Sequence, residues 1–154
     1  FTLQFDDAPS EPIEIAHRTG APSYKADVNV NEPNISTLDS GYQLIEVPLE
    51  AIAWGRSGDK GNKANIGIIA RHPNLLPHIW DTFSEEKIVE IFSHFLENDK
   101  VDRHYLPGIS GVNYVLHDVL GGGGTTSLRN DPQGKGYAQI LLSCKISVPK
   151  NLLV

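Results

Sequence analysis

From Leu44 onward apolar and polar positions alternate, with Ile45, Val47 and Leu49 on one side of the chain and Glu46, Pro48 and Glu50 on the other. A period of two sends successive side chains to opposite faces, so the spacing predicts a half-buried strand, and Pro48 confines it to an edge or a start. The strand runs through Ile52 into a polar stretch. Ala64 to Ala70 reads as a second strand, ended by Arg71-His72-Pro73. Leu75, Leu76, Ile79, Trp80 and Phe83 then follow at helical spacing, in a helix that Pro77 keeps short or late-starting. Thr82-Phe83-Ser84-Glu85 has the form of a capping box, and Ile88, Ile91, Phe92, Phe95 and Leu96 recur at i, i+3, i+4, i+7 and i+8 in a second helix.

Val101 to Leu106 is predicted as a third strand, closed by Pro107-Gly108. Ser110 then reads as the cap of an amphipathic helix, with Val112, Val115, Leu116, Val119 and Leu120 as its buried stripe and Asn113 and His117 on an adjoining face. A glycine run from Gly121 to Gly124 ends it. Ile140, Leu142, Cys144, Ile146 and Val148 alternate with Leu141, Ser143, Lys145 and Ser147 in a long final strand, which turns Cys144 into the core as an inert thiol. The order ββ(αα)βαβ over residues 44–150 predicts an α+β fold of ferredoxin-like type, a largely antiparallel sheet with helices on one face. Residues 1–43, with four prolines and no sustained period, read as an extended acidic arm or linker, and residues 151–154 as a tail. Short edge strands remain open where Phe1, Leu3 and Phe5, and Val28 and Val30, alternate.

Charge sharpens that division. The net charge of -6 is concentrated in residues 1–50, which carry nine acids and two bases, whereas ten acids and eleven bases follow. With no Lys/Arg stripe, nucleic acid and acidic membranes are excluded as main partners. No apolar run reaches the length of a membrane-spanning helix and no signal peptide opens the chain, so a soluble, cytoplasmic protein is expected. A lone Cys144 forms no intramolecular disulfide and fits a reducing compartment. Asn34-Ile35-Ser36 matches a glycosylation acceptor, with nothing else secretory beside it. The chain contains no Met and begins at Phe1, so a fragment or processed chain of a larger protein is expected.

Two stretches carry candidate chemistry. Trp54 to Ile69 places a polar loop between apolar runs, with Gly55, Gly58 and Gly61 within seven residues to let the backbone turn and approach a ligand. Asp59 is placed there as a general base with Lys60 as electrostatic stabiliser, and Arg56, Ser57, Gly58, Asn62 and Asn65 as ligand-binding groups. The same composition also suits an ordinary surface hairpin. The second stretch, Gly121 to Gly136, is long for a compact domain. Backbone N–H groups of Gly122, Gly123 and Gly124, with Arg129 and Lys135, form a candidate anion cradle, although the Walker spacing is absent. The six histidines, at 17, 72, 78, 94, 104 and 117, show no ligand spacing, so no metal and no cofactor is predicted. No Gly-x-Ser-x-Gly elbow appears, and His117 with Ser57 or Ser127 is too weak a basis for a hydrolase triad.

Ala53-Trp54-Gly55-Arg56-Ser57-Gly58-Asp59-Lys60-Gly61-Asn62, Ala64-Asn65-Ile66-Gly67, Leu106-Pro107-Gly108 before Asn113-Tyr114-Val115-Leu116, and the glycine run with Ser127-Leu128, Asp131, Gly134-Lys135 and Gln139 together resemble the C-terminal domain of the acyclic terpene utilisation (AtuA-like) family. The resemblance spans roughly residues 47–148. It implies a ferredoxin-fold module attached to a larger N-terminal domain, in proteins linked to breakdown of citronellol, geraniol and related branched acyl compounds. Two functions are then expected. One is a small-ligand-binding or catalytic module for an anionic acyl compound, acyl-CoA or a carboxylate, held where loops 56–65 and 121–136 converge. The other is a non-enzymatic interaction or oligomerisation module that docks on the larger N-terminal domain or a second copy. Whether the chain is an enzyme is left open.

Overall fold

A computed structural model describes residues 32–34 and 41–153. The arm expected over 1–43, and the strands suggested at 1–5 and 28–30, therefore lie outside the described residues except for 32–34 and 41–43.

Among the described residues six strands and three α-helices are formed: β1 (Leu44–Pro48), β2 (Ala53–Lys60), β3 (Lys63–Ala70), α1 (Leu76–Thr82), α2 (Glu85–Phe92), β4 (Val101–Leu106), β5 (Gly111–Leu116), α3 (Tyr137–Ser143) and β6 (Lys145–Pro149). Strands β2-β3-β5-β4 make a four-stranded antiparallel sheet, and β1 pairs with β6 in a separate antiparallel ribbon. Alternation along the sheet turns Ile66 and Ile68 of β3 and Val112, Tyr114 and Leu116 of β5 inward, all fully buried. Ile79 of α1, Ile88 and Phe92 of α2, and Ala138 and Leu141 of α3 complete one core with them. Each large apolar side chain so buried contributes about 1.5–3 kcal/mol before conformational entropy is charged. The Tyr114 hydroxyl donates to the Phe83 carbonyl at 2.8 Å, closing the end of α1 from within the core. The α+β, ferredoxin-like class with helices on an antiparallel sheet is thus the fold of the chain.

Several local expectations change. Residues 56–65 are no loop: β2 and β3 run on as strands, and Gly61-Asn62 alone turn between them, with Gly61 at φ +68°. The expected helix from Ser110 is strand β5. Ser110 and Asp118 have positive φ at its two ends, which interrupts any helix, and Val112, Tyr114 and Leu116 face inward at period two. The long final strand divides into helix α3 and the short β6. Buried Tyr137, Ala138 and Leu141 share one helical face there, a spacing hidden by the continuous run Ile140-Leu141-Leu142. Cys144 sits at the end of α3, half-buried, its Sγ donating to the Ile140 carbonyl at 3.4 Å, and burial pushes its thiol above the usual range. The cap of α2 is Ser84, whose hydroxyl accepts from the Lys87 amide at 3.3 Å, and not Thr82.

Candidate functional site

The hairpin β2–β3 meets the segment 117–138 along one side of the sheet. Ser57, on the inward face of edge strand β2 and 5% exposed, donates to the Lys135 carbonyl at 3.0 Å and accepts from the Ala138 amide at 2.9 Å. It therefore caps the start of α3 from a neighbouring strand, where Gly136 has no side chain to do so. Two residues on, Asp59 meets the Lys135 ammonium at 3.5 Å. Asn62 at the turn donates to Asp118 at 3.2 Å and accepts from the Gly122 amide at 2.7 Å. Asp131 accepts from the amides of Lys135 and Gly136 at 2.9 and 2.7 Å.

Of the residues selected from sequence, Ser57, Gly58, Asp59, Asn62, Gly122, Gly123 and Lys135 are brought together here, with the Lys135 ammonium lying against Gly58. Most of their polar atoms already bond to one another. Gly124 is exposed beyond them. Arg129 turns away to an aromatic cluster, donating to the carbonyls of Val119 and Phe95 with its guanidinium 5.9 Å above the Phe95 ring. Lys60, Arg56 and Asn65 project from the opposite, outer face, and the Lys60 ammonium donates to the carbonyl of Asp59 at 2.8 Å. Removal of so exposed a group should change stability by no more than about 0.5 kcal/mol. We expect Lys60→Ala to melt like the wild type, as calorimetry can check.

The outer face was not foreseen as a site. Cross-strand register sets Trp54 beside Ile69, Arg56 beside Gly67, Gly67 beside Asn113, and Asn113 beside His104. Among the described residues no helix covers these positions, and Trp54 and Ile109 are each 54% exposed, Ile69 and Leu106 each 38%. They surround a shallow hollow of about 230 Å3, with Arg56 on its rim and Gly67 in its floor. The Arg71 guanidinium stacks 4.5 Å from the Trp54 ring and donates to the Glu50 carbonyl, which fixes the indole in place. The Asn65 amide donates to Asn113 Oδ1 at 3.2 Å. At the far end His117 Nε2 lies 2.7 Å from Asp102, and that hydrogen bond holds the Asp102 carboxyl below its ordinary pKa. The signal available in the sequence was Gly67, a glycine inside a strand pattern. Asn113 was obscured because its strand read as a helix.

Residues 47–147 match the family model described as the AtuA ferredoxin-like domain. The chain belongs to that family. No curated protein and no solved structure matches it. In this AtuA ferredoxin-like domain no helix among the described residues is long and apolar enough to cross a membrane, and no described group of His, Cys, Asp and Glu could hold a metal ion.

Proposed function

We propose that this AtuA ferredoxin-like domain is an accessory, non-catalytic interaction module that docks the outer face of its sheet onto a larger domain of an AtuA-type protein. The carrying observation is the cluster of four exposed large apolar side chains, Trp54, Ile69, Leu106 and Ile109, on one uncovered face. Apolar surface gathered in this way marks interaction sites, and Trp and Arg dominate interface energetics. Arg56, Lys60 and Lys63 share that face without a carboxylate partner among the described residues, so the surface it meets should be acidic. The free thiol of Cys144 suits a reducing, cytoplasmic setting.

Asp59 and Lys135, 3.5 Å apart, favour a second reading. An anionic acyl compound, acyl-CoA or a carboxylate of acyclic terpenoid or branched-acid catabolism, would bind at that pair, with Lys135 supplying charge and Asp59 any proton transfer, while Lys60, on the opposite face, takes no part. The two readings separate in one pair of titrations. With a separately expressed larger domain of an AtuA-type protein as probe, Trp54→Ser should lower affinity about thirtyfold, the effect of a 2 kcal/mol interface residue. If Trp54→Ser binds as tightly as wild type while CoA thioesters raise the melting temperature, docking through this face is wrong and the ligand reading takes its place.

A further inference from the structure

Most glycines of the hairpin and its neighbours answer to the fold. A Cβ at Gly55 would stand 2.9 Å from the Ile68 side chain, one at Gly111 would stand 2.9 Å from a backbone oxygen, and Gly61 and Gly134 have φ of +68° and +58°. Gly67 is different. It lies in the middle of β3, an inner strand, outside the left-handed region of φ, and an added Cβ would meet nothing closer than 3.8 Å. Glycine inside a strand weakens it, and one that neither backbone nor packing requires marks close approach of something outside the fold. What surrounds Gly67 is the hollow lined by Trp54, Ile69, Leu106 and Ile109, with Arg56 among its lining residues. Arg56 forms no ion pair or hydrogen bond among the described residues.

We infer that the hollow over Gly67 is a binding site for a short aliphatic carboxylate, its hydrocarbon chain resting on the glycine between the apolar walls and its carboxylate paired with Arg56. A guanidinium takes a carboxylate through two parallel N–H···O bonds, and the apolar walls favour a ligand with a hydrocarbon tail over a bare anion. The hollow, about 230 Å3, is small, so hexanoate serves as the short-chain probe. The inference stands apart from docking to a larger domain: the site is complete in this chain, although a covering domain would enclose it, as ligand sites at domain interfaces commonly are.

The test is amide NMR of the full chain titrated with hexanoate, hexanol, hexylammonium and inorganic phosphate. Hexanoate should move the amides of residues 54–56, 67–69, 106 and 108–112 saturably, with hexanol weaker and phosphate and hexylammonium without effect. Arg56→Gln should weaken hexanoate by roughly tenfold, the ratio that loss of one charge-assisted hydrogen bond produces. Gly67→Ala should melt no lower than wild type and abolish binding by filling the floor. Equal affinity for hexanoate and hexanol, shifts confined to other residues, or unchanged binding by Gly67→Ala would each overturn the proposal. So would movement of the same amides on raising protein concentration without ligand, which would make a second copy the occupant.

Discussion

Ser57→Ala is expected to destabilise the domain by about 1–3 kcal/mol, since it leaves the buried Ala138 amide without its partner and takes one donor from the part-buried Lys135 carbonyl. The hydroxyl is the common partner of the Lys135 carbonyl and the Ala138 amide, and water cannot replace it at a residue 5% exposed. Ala138 belongs to the first turn of α3, whose amides have no partner within the helix. The loss should lower the melting temperature by about 5–10 °C in a domain of this size. Were Ser57 a ligand contact and nothing else, the same substitution would leave melting within about 0.5 kcal/mol of wild type and act on affinity alone. Calorimetry of Ser57→Ala beside Lys60→Ala separates these outcomes, because both residues lie in one strand and only one of them is tied to α3.

The difference between Ser57 and Lys60 also shows how far the sequence can be read. The apolar pattern placed the start of β1, and β3 and β4, and the helical stripe of Ile88 and Phe92 placed α2, but the first strand, expected to run through Ile52, ends at Pro48 in a 3-10 turn, Leu49–Ala51. The α+β class followed from their order. Strand β5 was misread since Val112, Val115, Leu116, Val119 and Leu120 satisfy a helical period by including residues beyond the strand, in the turn after Asp118. Helix α3 was hidden by a run of three apolar residues that fits either period. For the site, chemistry was legible as residue types and illegible as direction. Asp59, Lys60, Asn62 and Asn65 are close in sequence, yet strand alternation sends Asp59 towards Lys135 and Asn65 towards Asn113 on the opposite face. Once the stretch was taken for a loop, that alternation had no place in the reading. Arg129 was chosen for its charge, while its hydrogen bonds to Val119 and Phe95 depend on contacts 10 and 34 residues away that no local pattern carries.

The glycine run decides between an anion cradle and a packing contact. Gly123 is buried, at φ +90°, and a Cβ there would stand 2.7 Å from the carbonyl oxygen of Gly61 and 2.9 Å from its carbon. Those are backbone atoms of the hairpin turn, which a rotamer change cannot move aside. Gly123→Ala must therefore push the segment off the hairpin, stretching the bonds from the Gly122 amide to Asn62 Oδ1 and from the Val119 amide to the Asn62 carbonyl, now 2.7 and 3.0 Å. Backbone strain of about 1–3 kcal/mol together with weakened hydrogen bonds should make the cost about 2–4 kcal/mol. At the next position the expectation reverses. Gly124 is exposed, lacks positive φ, and an added Cβ would come no nearer than 3.9 Å to the Gln133 side chain. Gly124→Ala should leave stability unchanged or raise it by up to about 1 kcal/mol through a less flexible unfolded chain. Thermal melts of the two variants give the answer without any ligand. A large loss at Gly123 and none at Gly124 means that the run keeps at least one glycine for contact with the hairpin, whereas small and equal effects at both would remove that explanation.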